Sequence, residues 1–288
     1  MRSAHPIASE SFLGGGLPIV AEHAGPADRA TPRARAATHD YAVVMLVTGG
    51  RSRVEQSGEW ALSAGDALLV PPGRAHRLLE MRRSEYWGVG FCAPCFATEG
   101  AVSLLEPLER VRDGAAPVVR IATARHGFLE GLFRELEQLT HAPSRRPSAA
   151  EQAVRSSLLT LILAEVERAR APGEVRAGVG GGVVVDSLRY IERNCLRPLS
   201  LRDVAAAVGR SPTYVTAALS QATGRSAGEW IVSGRMAEAR RLLLHSDERV
   251  DAISERVGYA DVTHFIRMFR RNHGATPASW RASRTSGA

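Results

Sequence analysis

The sequence predicts an α+β protein of two domains, an N-terminal β domain with trailing helices and a C-terminal all-α domain. Three observations predict this division. Short strand-like runs broken by Gly and Pro come first, helical periodicity follows, and glycines cluster between two of the helical regions. We therefore expect a first domain over residues 1–171, a linker over 172–182 and a second domain over 183–288.

The β region is expected over about residues 37–121, after a loosely ordered start that leads into an edge strand. The apolar run Tyr41–Val47 ends at Thr48–Gly50, which is typical of a buried strand that meets a turn. Trp60–Asp66 then leads into Ala67–Val70 and a Pro-Pro-Gly corner. Strand, turn and strand recur at the spacing of a sandwich or barrel.

Two amphipathic helices are expected over about residues 122–170, from Ala122 to Thr140 and from Ala149 to Arg170. The second helix opens with the capping sequence Ser148-Ala-Ala-Glu151. Their leucines could pack only within the chain or could also pair two subunits, and both interpretations stay open at this point.

The pair Cys92 and Cys95 has a spacing that suits redox chemistry or half of a zinc site. The third cysteine, Cys195, lies inside a predicted helix, so a closed zinc site would need two ligands from elsewhere. A structural role is the main interpretation, and thiol sensing is a second hypothesis. Three cysteines without an even framework fit a reducing cytoplasm.

The first helix-turn-helix pattern follows the glycine-rich linker. Ser200 and Asp203 form a capping box that starts a short helix. Gly209 allows a left-handed turn, and Ser211-Pro212 restarts a helix that ends at Gly224. Helix, tight turn and helix form the module whose second helix enters the major groove of DNA.

The second pattern repeats this order, with Gly258 in the place of Gly209 and a helix that starts at Val262 after Asp261. Between the two units, the capping box Ser226–Glu229 opens a long helix with apolar residues for packing on both. We expect this one rigid helix to fix the spacing of the two second helices.

Charge is concentrated in the same region. From Val184 onward the chain has 16 Arg and 10 acidic residues, a net charge of +6, whereas the preceding part has 21 Arg and 20 acidic residues, a net charge of +1. A basic excess on the part with the DNA-reading pattern favours contact with phosphates.

This C-terminal segment resembles the AraC/XylS transcriptional regulators. The resemblance lies in a long ordered string: Leu201 to Gly209, Ser211 to Tyr214, Thr223-Gly224, Arg235 to Leu243, Val257 to Tyr259, His264-Phe265, Phe269 to Arg271, Gly274 and Thr276 to Arg281. Such length and order are more specific than a single helix-turn-helix, which many proteins contain.

The resemblance implies which side chains face DNA. In the first unit these are Thr213, Thr216 and Ala217, and in the second Val262, Thr263, Ile266 and Arg267, with Arg270 and Arg271 on phosphates. Arg267 could bond both guanine acceptors or contact a phosphate. Ala217 stands where relatives often have Arg, so the first unit reads through thymine methyl contacts or contributes little specificity.

The stretch Gly65-x5-Pro71-x-Gly73-x2-His76 resembles a motif of the cupin barrel, the usual sensor partner in this family. Of the histidines that catalytic cupins use to hold a metal, this chain offers only His39 and His76, too few for a metal site. We therefore expect no metal and no cofactor. His39, His76 and Arg51 are the candidates for binding a small-molecule effector.

These observations predict a cytoplasmic, homodimeric transcription regulator that binds double-stranded DNA, responds to an effector and, if it activates, contacts RNA polymerase. No catalytic residues are expected, and no run of about 20 apolar residues or convincing secretory signal occurs. Two alternatives stay open: a metal-dependent cupin enzyme that its C-terminal part holds on DNA, and a nonspecific architectural DNA binder.

Overall fold

The computed structural model describes residues 19–29, 36–96, 102–141, 148–169 and 182–285. The expected linker, apart from Gly182, and the expected start of the chain before residue 19 lie outside these ranges. The strands are β1 Ile19–Arg29, β2 Ala42–Glu55, β3 Glu59–Ser63, β4 Asp66–Val70, β5 Arg77–Phe91 and β6 Val118–Arg120. The helices are α1 Ala93–Phe96, α2 Glu106–Arg112, α3 Thr123–His141, α4 Ala149–Ala169, α5 Val183–Asn194, α6 Leu201–Ala207, α7 Pro212–Thr223, α8 Ala227–His245, α9 Val250–Arg256, α10 Val262–His273 and α11 Pro277–Thr285, with a short 3₁₀ turn at Val102–Leu105.

The strands form one antiparallel sheet in the order β1-β5-β2-β4-β6, and β3 pairs with the far half of β2. Among the described residues, the edge strands β1 and β6 do not pair with each other. The expected α+β class with an N-terminal β domain and a C-terminal helical domain is therefore confirmed, while closure into a cupin-like barrel stays a prediction.

The turn expected at Thr48–Gly50 was wrong, because β2 continues through it as one strand to Glu55. The register with β5 shifts around Gly49, so the two glycines form an irregularity inside the ladder. Gly50 has φ 65°, and a Cβ there would lie 2.1 Å from the Arg83 carbonyl oxygen. The two glycines are needed for a bulge and for a close approach of two backbones. In a sequence, glycines with these roles cannot be told from glycines of a turn.

The two faces of β2 lie in different apolar clusters. Val44 and Leu46 belong to the large cluster that the sheet shares with α3 and α4, whereas Val43 and Val47 belong to a second cluster with β3 and β4. Alternate side chains of a strand point to opposite faces, so one strand supplies both cores.

The predicted helices α3 and α4 are confirmed, and each buries a stripe of apolar side chains against the sheet. Three large apolar side chains of these helices lie outside the buried stripes. Leu161 of α4 is 44% exposed, and it is accompanied by Val154 of α4, 46% exposed, and Phe128 of α3, 44% exposed. Within the described residues, no helix is long and apolar enough to cross a membrane.

The C-terminal helices are organised around α8. Its N-terminal residues Trp230 and Ile231 belong to one apolar cluster with α5, α6 and α7, whereas Met236 and Leu243 belong to another with α9, α10 and α11. The predicted capping boxes at Ser200 and at Ser226 are both present, with side-chain and backbone hydrogen bonds in each direction. The two helix-turn-helix units are therefore attached to one continuous helix.

Two glycines at equivalent turns give a matched test of this arrangement. Gly209 has φ 63°, and a Cβ added there would meet no atom within 4 Å beyond its chain neighbours, whereas at Gly258, φ 84°, the added Cβ would lie 2.8 Å from the Leu196 carbonyl oxygen. We expect Gly209→Ala to lower the free energy of unfolding by about 1 to 2 kcal/mol through backbone strain alone. Gly258→Ala should cost clearly more, because Leu196 must also move. Urea unfolding of both variants checks this, and equal losses would contradict the close contact.

Candidate DNA-binding surface

The two helix-turn-helix units share the same turn. After α6, the Gly209 N–H donates to the Ala206 carbonyl oxygen, and after α9 the Gly258 N–H donates to that of Glu255. In both units the next N–H reaches five residues back into the helix that has just ended. Because both glycines have positive φ, each turn reverses the chain in the same sense.

The second helices α7 and α10 have equal lengths of 12 residues and matching ends. Ser211 caps α7 by accepting from the Tyr214 N–H, and Asp261 caps α10 by accepting from the Thr263 N–H. Both helices end at a left-handed glycine, Gly224 with φ 72° and Gly274 with φ 73°. Capping fixes where each helix starts and therefore which residues its exposed side presents.

Each helix is anchored by side chains at equivalent positions. Val215 and Leu219 of α7 are fully buried, as are Phe265 and Phe269 of α10. A buried tryptophan follows each helix after the same interval, and both lie in the apolar cluster of their own unit: Trp230 and Trp280. These buried side chains anchor α7 and α10 to the cores of their own units.

The residues predicted to face DNA lie on the exposed sides of the two helices. Thr213 and Ala217 are exposed on α7, and the equivalent Thr263 and Arg267 are exposed on α10. The other predicted positions are exposed or half-buried: Thr216, Val262, Ile266, Arg270 and Arg271. The structure thus brings the predicted residues together on two matching faces, one per helix.

The two faces differ in chemistry. Ala217 and Arg267 occupy equivalent positions, so α10 carries a guanidinium where α7 carries a methyl group. The Thr216 hydroxyl donates to the Pro212 carbonyl oxygen at 2.9 Å within its own helix. Thr216 therefore offers mainly its methyl group outward, which is the group that would contact a thymine methyl.

The three arginines of α10 are poised for contact with an anion. Arg267, Arg270 and Arg271 are exposed, and no ion pair with a carboxylate is formed by any of them in the described part of the chain. A cation without an internal partner gains most from an external one. Their positions on one helix make that helix the more basic of the two.

Two further candidates at the start of α7 were missed by the sequence analysis. Tyr214 is 52% exposed, and the Arg210 guanidinium lies over its ring at 5.9 Å. No basic residue lies between Ser211 and Gly224, and Arg210 is the basic residue next to the start of α7. Arg210 precedes the helix directly, which is a position that could have been considered from sequence.

The candidate effector residues are only partly brought together. The rings of His39 and His76 lie 5.0 Å apart beside an internal cavity of about 40 Å³, with room for about one water molecule. Arg51 does not line this cavity; it is exposed and lies opposite Ser63 and Arg82 in the sheet. Within the described residues, no group of three or more His, Cys, Asp or Glu side chains is arranged to hold a metal ion.

A much larger cleft, of about 1040 Å³, lies between the two domains. It is lined by charged and apolar groups, among them Glu109 of α2, Leu188 of α5, Trp230 of α8 and Arg74 before β5. Arg74 donates to the carbonyl oxygens of Val111 and Arg112, and burial lowers its pKa, helped by neighbouring positive charges. Three polar pairs connect the two domains near the cleft: Arg112 with Glu192, Arg189 with Asp113, and Ser233 with Asp40.

Comparisons with known proteins identify sequences and structures that are similar to this chain. A family model described as a helix-turn-helix domain matches residues 204–283. The regulatory protein PocR of Salmonella typhimurium is 34% identical over 95 residues, which are 33% of this chain and 31% of PocR. The transcriptional activator NphR of a Rhodococcus species is 27% identical over 254 residues, which are 83% of this chain and 69% of NphR. This chain thus matches less than a third of the length of PocR.

Among solved structures, the C-terminal domain of AraT, a response regulator from Geobacillus stearothermophilus, is 30% identical, with a TM-score of 0.35, and the match covers 36% of this chain and 87% of that domain. The matched helix-turn-helix model contains both recognition helices and the helix that joins them. The family model and the ordered string from Leu201 to Arg281 show that the C-terminal domain is a helix-turn-helix domain of the AraC/XylS type.

Proposed function

We propose that the chain regulates transcription by binding a specific DNA sequence, with α7 and α10 in two successive segments of the major groove. The observation that carries this proposal is the repeat of one surface: two helices of equal length, with matching caps, matching anchors and matching exposed faces. A helical bundle that served only packing would not need to expose the same side of both helices.

Charge supports the same proposal. The region from Val184 onward has a net charge of +6, and Arg267, Arg270 and Arg271 are exposed on one helix and form no salt bridge among the described residues. Contact with phosphates would release the ions condensed on DNA, so binding should weaken as salt rises. This contribution sets affinity on any sequence, whereas specificity needs contacts to base edges.

The two helices would read DNA by different means. Arg267 can donate two hydrogen bonds to one guanine, whereas the methyl groups of Thr213, Thr216 and Ala217 suit contact with thymine. Arg210 and Tyr214 lie at the start of α7, where this helix would approach the sugar-phosphate backbone of the DNA. We therefore expect a strong preference at one guanine under α10 and a weaker preference, for thymine, under α7.

The test is to sequence genomic fragments that the purified full-length protein captures near physiological salt. Specific reading predicts a recurring motif with two elements about one helical turn apart. Arg267→Ala should weaken binding to that motif by about 1 to 3 kcal/mol and relax the preference at one base pair. Arg82→Ala removes the same charge from the surface of the sheet domain and should leave the motif unchanged.

Three outcomes would change the proposal. Uniform weakening of Arg267→Ala on every sequence would assign this arginine to a phosphate. Enrichment without any motif, lost steeply as salt is raised, would favour the nonspecific architectural binder. Stoichiometric iron, manganese or nickel in the purified protein would favour the alternative hypothesis of a metal-dependent enzyme.

A second copy of the chain is the first partner that we propose besides DNA. Val154 and Leu161 are seven residues apart on one side of α4. Both are about half exposed, whereas the apolar residues on its other side are buried: Leu159, Ile162, Leu163 and Val166. Residues at this spacing share one face of a helix, and burial against the same face of a second copy would remove both from water.

The dimer is tested by Val154→Glu combined with Leu161→Glu. We expect this variant to sediment as a monomer and to bind the two-element motif less tightly, because linked subunits gain from avidity. Ser156→Glu places a charge elsewhere on the same helix and serves as the control. Unchanged sedimentation of the double variant would exclude this face from the dimer.

A small-molecule effector is the other partner that we propose, and the cleft between the domains is the site with room for it. The cleft has a volume of about 1040 Å³, whereas the cavity beside His39 and His76 has about 40 Å³, and His76 lines both. Pockets for drug-sized ligands are typically about 300 to 1,000 Å³. A ligand in this cleft would touch both domains and so could favour one of their arrangements.

The cleft is tested by a thermal-shift screen of small molecules on full-length protein. A ligand at 100 times its dissociation constant stabilises by about 2.7 kcal/mol, which raises Tm measurably. Ala75→Phe adds bulk to the wall of the cleft, and we expect it to abolish the shift while the unliganded Tm stays close to the original. An equal shift in both proteins would locate the ligand elsewhere.

A further inference from the structure

A cysteine pair lies where the N-terminal domain meets the helix that joins the two DNA-reading units. Cys92 and Cys95 follow β5 in the turn that forms α1, with Cα atoms 5.2 Å apart and their sulfurs joined. This separation is in the usual range for a disulfide. Both residues are buried, and neither is used by the proposed reading of DNA.

The pair packs directly on α8. Cys95 Sγ lies 4.0 Å from the Ala237 carbonyl oxygen, and the His245 ring is hydrogen-bonded to the Cys95 carbonyl oxygen at 2.8 Å. On the other side, Phe96 inserts into the core of the sheet domain beside Phe91. The short cysteine turn therefore connects the core of one domain to the central helix of the other.

A buried arginine of α8 faces the pair. Arg240 is 4% exposed, and its Nη2 donates to Cys92 Sγ at 3.4 Å while Nη1 lies 3.4 Å from His273 Nε2. Within the described part of the chain, no carboxylate forms an ion pair with Arg240, and the nearby Asp40 is turned towards Arg225 and Ser233. Burial lowers the pKa of Arg240, but a guanidinium stays charged in proteins.

A buried cation is costly unless an anion lies beside it. In the reduced pair, a Cys92 thiolate would be that anion, and the adjacent guanidinium would in turn favour the thiolate over the thiol. In the disulfide both sulfurs are neutral. Oxidation would therefore remove one negative charge beside Arg240 without moving the arginine out of the interface, and would leave the more distant Asp40 as its anionic neighbour.

We propose that Cys92 and Cys95 form a reversible thiol-oxidation site for peroxide, and that oxidation weakens the docking of α8 on the N-terminal domain. The arrangement supplies the two requirements of such a site, a cation beside the attacking sulfur and a second sulfur within bonding reach. Disulfides that form in a reducing compartment are usually transient and serve catalysis or sensing.

The chemistry balances with hydrogen peroxide as the oxidant. The Cys92 thiolate attacks one peroxide oxygen, the O–O bond breaks, and the leaving hydroxide takes a proton to become water. The sulfur is then a sulfenic acid. Cys95 attacks that sulfur, the S–S bond forms and a second water leaves, so two thiols give up two electrons and two protons. A dithiol reductant reverses the step by thiol–disulfide exchange.

Burial of both sulfurs couples this chemistry to the interface. Both sulfurs are buried at the contact between α1 and α8, so peroxide reaches Cys92 when this contact loosens transiently. By linkage, an oxidation that is easier in the loosened contact must itself favour loosening. Hydrogen bonds to charged groups contribute about 1.5 to 3 kcal/mol, which corresponds to about tenfold or more in the docking equilibrium.

The modification itself is tested on full-length protein without DNA. Reduced protein is treated with equimolar hydrogen peroxide, denatured, alkylated and mapped by mass spectrometry. We expect Cys92 and Cys95 to lose reactivity together and to recover it with dithiothreitol. Cys195 is an internal control, because burial raises its pKa to about 11 and no second cysteine accompanies it. Alkylation of Cys92 and Cys95 at the untreated level would overturn the proposal.

The coupling is tested by hydrogen exchange of the same protein in its two redox states. Amides of the α1 turn should exchange about tenfold faster in the oxidised protein. Arg240→Met removes the buried charge, and we expect it to form the disulfide while exchange becomes equal in both states. Should that variant fail to fold, Cys92→Ser with Cys95→Ser provides the second test, since peroxide should then leave exchange unchanged. Equal exchange of the two states of the natural sequence would refute the coupling.

A change in DNA affinity on oxidation is a separate readout, and only this part rests on the proposed function. If neither redox state binds a sequence motif, the proposed function fails while the thiol chemistry and the docking measurement still stand. If both states bind the motif equally and docking also does not change, the redox inference fails while the proposed function stands.

Discussion

The C-terminal domain depends on one constraint, which is that a single helix belongs to both helix-turn-helix units. α8 contributes Trp230 to the core of the first unit and Met236 to the core of the second. Between them, Arg235 donates to the Cys195 carbonyl oxygen at 2.7 Å and lies 5.1 Å from the ring centre of Tyr259. The setting of α7 relative to α10 is therefore determined by rigid packing on α8, and a loop could not fix it as well.

The same helix also receives the N-terminal domain, through Ser233, Ala237 and Arg240. Three sets of contacts thus share 19 residues. A helix in this position transmits displacement efficiently, because close-packed interfaces shift between discrete arrangements and deform little in between. For this physical reason, a ligand in the cleft or oxidation of the cysteines could change the positions of α7 and α10, although both events take place far from these helices.

Local signals made much of this structure predictable from sequence. Caps at Ser200 and Ser226 and left-handed turns at Gly209 and Gly258 depend on neighbouring residues, so the helices and their exposed faces could be located. The role of Gly50 could not, since a glycine serves a bulge and a turn alike. The contact of Arg240 with Cys92 joins residues that are 148 apart in sequence, and neither hydrophobic periodicity nor motif spacing predicts such a contact.

The unlike chemistry of the two reading faces has a consequence for geometry. With Ala217 in the place that Arg267 takes in the other unit, the pair of helices has a distinguishable front and back. A single subunit would then bind its DNA site in one orientation only. Reversing its site on the chromosome would turn the sheet domain from the upstream to the downstream side, so the orientation of each site would decide which neighbouring gene it faces.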